Sequence, residues 1–277
     1  MMKIIRADTY RIVRGKGPYI TLAVLIAVIF LQILGGINMN AGANANSMDM
    51  INTDPENFDV ENFDIASLFH SPTGSEAPFQ IMSGSSNLLC FLLPLIVFIG
   101  ATDFNTGAAR NTLSGGISRA KYYCSKLVLS CISCALLLIA YVLLSIILAT
   151  ALNGFGGKFS GEFVSNVLKI FLPQLWLCLA GACVGNFFVF TFKRTAAVIG
   201  IGIGFILVPS ILILILSFIS DRFGELFKYE LTSNIDMMTR INSMSAGEIA
   251  RTLAVGAGYI AVSVVGGFLL FKKSEIK

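Results

Sequence analysis

Six apolar runs, each about 20 residues or longer, alternate with polar stretches along the chain. They fall near 18–38, 81–102, 124–151, 163–191, 195–219 and 249–271. A run of about 20 apolar residues is what a helix needs to cross the hydrocarbon core of a bilayer. The pattern therefore predicts an all-α polytopic membrane protein, a single transmembrane domain over 1–277 with six transmembrane helices. The first 17 residues read differently. Met2, Ile5, Thr9, Ile12 and Val13 fall near one face of a helix, and Lys3, Arg6, Asp8 and Arg14 fall away from it. This predicts an N-terminal interfacial amphipathic helix over 1–17, with Gly15, Gly17 and Pro18 turning the chain into the first span.

The polar segments give the orientation. Six spans put both termini on one side. With the termini inside, the inner segments hold Lys3, Arg6, Arg11, Arg14, Lys16, Arg110, Arg119, Lys121, Lys126, Lys193, Arg194, Lys272, Lys273 and Lys277, fourteen of the 20 bases. The outer segments hold Lys158, Lys169, Arg222, Lys228, Arg240 and Arg251. The positive-inside rule thus predicts cytoplasmic termini and a multi-pass membrane protein. The basic region and apolar run at the start are both too long for a secretory signal. "AGANA" at 41–45 is therefore read as loop, and the first span as uncleaved.

Composition agrees and narrows the chemistry. The chain is 55% hydrophobic and 13% charged, with a mean hydropathy of +0.79, whereas soluble domains carry about 25% charged residues. No polar block is long enough for a soluble core. The six cysteines lie in or beside apolar runs, which predicts no disulfide framework; the C-x-x-C of Cys131 and Cys134 has no His or acid beside it. No G-x-x-x-x-G-K-[ST], no H-E-x-x-H and no second histidine beside His70 is present. Enzymatic activity and a cofactor in this chain are not expected. The scarcity of charge inside the spans argues against a proton or sodium pump built on intramembrane carboxylates and suits an amphipathic or lipid-like substrate.

Four features remain as candidates. The extracellular loop, 38–80, has seven acids and no base, with the repeat "ENFDVENFDI". Asp54, Glu56, Asp59, Glu61 and Asp64 can attract a cationic peptide, and Phe58 and Phe63 can give it apolar contact; solubility and topology alone also account for such acids. The G-x-x-x-G pairs Gly181/Gly185 and Gly200/Gly204 permit close helix packing, within the bundle or in a dimer. The extracellular segment 220–248 places Ile235, Met238 and Ile241 on one helical face. Its Ser245 and Glu248 form a capping-box pattern ahead of the last span. Short helices dipping into the outer leaflet and closing the top are expected there.

The cytoplasmic loop 103–123, "DFNTGAARNTLSGGISRAKYY", is polar, glycine-rich and basic between two apolar runs. Its layout resembles the inner loop of ABC-2 type ABC transporter permeases, where an acid, a Gly-Thr-like pair, a basic residue, two helical residues and a "pisR…gK"-like tail form the coupling helix. The matching positions are Asp103, Gly107, Arg110, Thr112, Leu113, Ile117, Ser118, Arg119 and Lys126. Asp103 stands where Glu is more usual, Ala108 where Thr is frequent, and Gly116 where Pro is common. Along the whole chain the plan is most similar to the small permeases of Gram-positive antimicrobial-peptide resistance and bacteriocin-immunity exporters.

The resemblance implies a permease subunit of an ATP-driven exporter in a bacterial plasma membrane, paired with a second permease subunit, identical or related. It also implies two separate ABC ATPase subunits that hold ATP and Mg. Membrane lipid is the surrounding partner, and nucleic acid is not expected as one. In that scheme Leu113 and Ile117 plug into the ATPase while Arg110 and Arg119 pair with its acids. The alternative from another class is a non-transporting membrane immunity or sensor protein that binds a cationic peptide through the acidic outer loop.

Overall fold

A computed structural model describes residues 2–35 and 72–274. The described residues are helical and contain no strand. In chain order, the helices are α1 (Met2–Arg14), α2 (Lys16–Gly35), α3 (Ala77–Met82), α4 (Ser85–Asn105), α5 (Ala108–Ser114), α6 (Arg119–Asn153), α7 (Gly161–Phe192) and α8 (Thr195–Ser217). The short α9 (Asp221–Gly224) and α10 (Leu231–Met237) then lead to α11 (Ala246–Lys273). Five of them, α4, α6, α7, α8 and α11, are long and apolar enough to cross a membrane. The sixth candidate span is the pair α1 and α2, bent by 55° at Gly15. The described residues thus form an all-helical bundle with five or six candidate spans, consistent with a multi-pass membrane protein. The acidic-loop residues Asp54, Glu56, Phe58, Asp59, Glu61, Phe63 and Asp64 lie outside the described residues, as does His70.

The bundle buries one stripe of each helix and leaves the rest apolar. On α2, Leu25, Ile29 and Ile33 repeat every fourth residue and are buried. Leu136, Leu172, Leu212 and Val262 remain exposed on other helices. An exterior this apolar fits contact with lipid rather than water. At 35 residues α6 is roughly 50 Å long, so it reaches beyond a hydrocarbon core of about 30 Å. Helices α7 and α11 lie parallel. Near one end Trp176 donates to the Leu253 carbonyl (3.1 Å), and further along Gly267 lies against Phe187.

Local chemistry shapes three elements. The break between α1 and α2 is at Gly15 alone, while Gly17 and Pro18 sit in the first turn of α2, where a missing N–H has no consequence. In α4, Pro94 precedes a π turn over Val97–Ala101, whereas Pro173 and Pro209 lie inside α7 and α8 without ending them. The capping box before α11 is formed: Glu248 N–H donates to Ser245 Oγ (3.3 Å) and Ser245 N–H to Glu248 Oε2 (2.8 Å).

The glycine motifs behave unequally. A methyl group on Gly181 would come within 2.5 Å of Leu89, and one on Gly185 within 2.7 Å of Ile96, so the first pair seats α7 on α4. Gly200 and Gly204 pack on nothing within the chain, because nothing lies within 4 Å of a Cβ at either. The glycine of α8 that packs within the chain is Gly202, on Leu93 of α4. Packing turns the intervening Gly202 inward and leaves the motif pair on the open face.

Candidate functional site

The N-terminal helix, the connector between α4 and α6, and the end of α11 meet at one end of the bundle, and charge holds them there. Lys126, on α6, is 1% exposed. Its Nζ stands 2.7 Å from Asp8 Oδ2 and 2.6 Å from Asp103 Oδ2. Tyr122, one turn earlier on α6, donates its hydroxyl to Asp103 Oδ2 (2.9 Å). Arg11 pairs with Asp103 and lies 3.5 Å from Asp8. Its guanidinium also donates to the Phe98 and Ile99 carbonyls (3.4 and 3.2 Å) in the π turn of α4.

Two acids and two bases therefore neutralise one another across α1, α4 and α6. Removing a charge from water costs several kcal/mol, and partners of opposite sign with further hydrogen bonds offset that cost. Asp8 corrects the sequence reading of α1. It is buried and faces the bundle, not the polar side, because Lys126 and Arg11 hold it there.

Beside this cluster lies an aromatic group. Tyr123 and Phe190 have ring centroids 4.7 Å apart, Phe190 and Phe271 4.8 Å, and Tyr122 stacks on Phe271 at 6.0 Å. Phe104 joins edge-on to Phe190. These rings come from α4, α6, α7 and α11, so they tie the connector's two flanking helices to the last helix.

The connector begins and ends on glycines. Gly107 (φ +72°) starts α5 and Gly116 (φ +88°) follows it, both in the left-handed region that side chains resist. Ser118 then caps α6, accepting from Lys121 N–H at 3.4 Å. Leu113 and Ile117 are half-buried and pack on the core. Thr112 is also half-buried, its hydroxyl donated to the Ala108 carbonyl (2.8 Å). Arg110 is exposed. Arg119 turns inward and donates to the carbonyls of Phe271, Lys272 and Ser274 (3.1, 2.8 and 2.8 Å). It thereby satisfies the free C-terminal carbonyls of α11.

Of the connector residues singled out in the sequence, the fold brings Leu113 and Ile117 together on the core and buries Asp103 in the charge cluster. It sends Arg119 to α11 and leaves Arg110 outward. Asp8, Arg11, Tyr122 and Lys126 were missed as a group. A signal was present. Asp8 is the sole acid of the first 17 residues, and Asp103 is the sole acid between Glu76 and Glu162. Isolated charges at the margins of apolar runs seek each other.

The family described as "Protein of unknown function (DUF2705)" matches residues 68–277. The chain belongs to this family. The matched region holds the connector, the aromatic group and all five long apolar helices; Asp8 and Arg11 lie ahead of it. No curated protein matches the chain.

Proposed function

We propose that this chain is the membrane-spanning permease subunit of an ATP-driven exporter of the ABC-2 type, with residues 103–123 as the surface that meets a separate ATPase. The observation that carries the reading is the mounting of the connector. Both of its flanks are fixed to the bundle, on the α4 side by the ion cluster of Asp103, Arg11, Lys126 and Asp8 and on the α6 side by Arg119 on α11. A push on α5 is therefore delivered to α1, α4, α6 and α11 together rather than absorbed by a slack loop. The excess of Lys and Arg at this end supports its placement in the cytoplasm.

Within the connector, Arg110 is the residue offered to a partner, and Leu113 and Ile117 set the seat of α5 on the core. Arg119 acts inside the chain. The substrate class that suits a bundle with so apolar an exterior is an amphipathic or peptide antimicrobial taken from the membrane, moved by a dimer of permease subunits.

The test is co-purification of the chain with a separately encoded ATPase, followed by reconstitution of the pair. Arg110→Glu reverses charge on an exposed side chain and should lower the ATPase activity stimulated by the permease, leaving its melting temperature unchanged. Absence of any ATPase partner, or unaltered stimulation by the Arg110→Glu protein, contradicts the proposal.

A further inference from the structure

At the end of the bundle opposite the connector, α10 lowers a carboxylate onto the start of α4, with no base among the described residues to meet it. Asp236 accepts from the Ser86 N–H (3.0 Å) and from the Ser86 hydroxyl (2.6 Å). No ion pair reaches it among the described residues. The neighbouring charge is Glu230, of the same sign. Tyr141 of α6 and Cys178 of α7, both buried, lie within electrostatic reach of the carboxylate.

The surroundings are rich in acceptors. Gln174, one turn from Cys178 on α7 and fully buried, spends its amide N–H groups on the carbonyls of Met82 (2.9 Å) and Ile235 (3.1 Å). The Ile235 carbonyl belongs to the peptide that leads into Asp236. The other end of the same amide, Gln174 Oε1, is buried without a donor, and so is Ser85 Oγ beside Ser86. A buried oxygen without a partner weakens the fold, and a carboxylate without a counter-charge weakens it more. All of these groups gain from a positive ligand. Asp236 is only half-buried, so such a ligand can reach it.

We propose that the Asp236 carboxylate, Gln174 Oε1 and Ser85 Oγ form a binding site for a small monovalent cation, either a sodium-type metal ion or a protonated primary amine. Oxygen donors from one carboxylate and neutral groups suit a hard, singly charged ion. A bound cation would clamp α10 against α4 and α7, joining the segment before α11 to the bundle. Burial pushes the Asp236 carboxyl up to about 6, against the pull of the two Ser86 hydrogen bonds, so it still offers a negative charge at neutral pH.

Thermal unfolding of the full chain in detergent, followed by fluorescence of Trp176, the single tryptophan, tests the site. Sodium chloride and methylammonium chloride are compared with choline chloride at equal ionic strength and neutral pH. A saturable rise of roughly 5 °C is expected with one of the two small cations, and the one that saturates at lower concentration identifies the source. The rise should vanish in Gln174→Leu and in Asp236→Asn. Equal melting in all three salts, or a rise that persists in both variants, overturns the proposal. If neither variant folds, titration calorimetry of the wild-type chain with each salt decides: a saturable heat with one small cation and none with choline supports the site, and no saturable heat with either overturns it.

Discussion

Lys126 and Asp103 form a 2.6 Å ion pair between α6 and α4, with the lysine almost wholly shut off from solvent. Asp8 and Arg11 complete the cluster from α1. Removing one partner from such a group leaves the others charged and buried, which costs about 3–5 kcal/mol. Lys126→Met should therefore lower the melting temperature sharply, and Asp8→Asn should do so less, because Lys126 and Arg11 both keep Asp103 as a partner. The double variant should fall short of the sum of the two by about 0.5–3 kcal/mol, as residues in one network do. Strict additivity in thermal or denaturant unfolding would show that the cluster is not energetically connected.

Asp236 gives the chain a stability that varies with pH. Its carboxyl rises from an ordinary 3.8 to about 6, chiefly by burial. Below about 4 it is protonated in both the folded and unfolded chain. Between about 4 and 6 the folded state binds the proton more tightly, so stability falls as pH rises through this window and levels off above it. Melting temperatures measured in choline chloride from pH 4 to 8 should show this fall in the wild type and lose it in Asp236→Asn. A saturating cation at the site should move the window to lower pH. A slope of opposite sign in the same window would contradict the burial argument.

The two glycine pairs should respond in opposite ways to a methyl group. Gly181→Ala drives a Cβ into Leu89, and overpacking of this kind costs about 1–3 kcal/mol. Gly200→Ala meets open space and should be neutral or stabilising by up to about 1 kcal/mol, since alanine is the better helix former. If α8 pairs with a second copy of the chain through this face, Gly200→Leu should weaken the dimer in light-scattering or cross-linking measurements while the monomer's stability holds. Equal losses from Gly181→Ala and Gly200→Ala would sink the assignment.

What could be read from the sequence follows from periodicity and length. The five long spans were legible because about 20 apolar residues have few alternatives to crossing a membrane. The capping box at Ser245 and Glu248 was legible because it is local; of the face expected from Ile235, Met238 and Ile241, the first two are buried and Ile241 is half-buried. The charge cluster was not, because Asp8 and Lys126 are 118 residues apart and their pairing depends on how α1 folds back on α6. The helical-wheel reading of α1 placed Asp8 with the solvated charges by residue type. The structure turns it inward, where a buried lysine outweighs type. Gly200 and Gly204 show a related limit: a spacing motif says that a helix can pack closely, and only the neighbours decide that within the chain Gly202 does so instead. The carboxylate of Asp236 also escaped notice, since it comes from the segment between spans and returns to the bundle through a bend that periodicity does not encode.

The central claim is that the connector meets an ATPase, and the most direct measurement places a photo-crosslinking amino acid at Arg110 in living cells. A second placement at Phe218, which is 85% exposed beyond the end of α8, serves as the control. The account predicts a light-dependent adduct from position 110 to a separately encoded ATP-hydrolysing protein, absent when that protein's gene is deleted and absent from position 218. No adduct from position 110, or labelling of that position by a membrane-impermeant reagent added outside the cell, would contradict it.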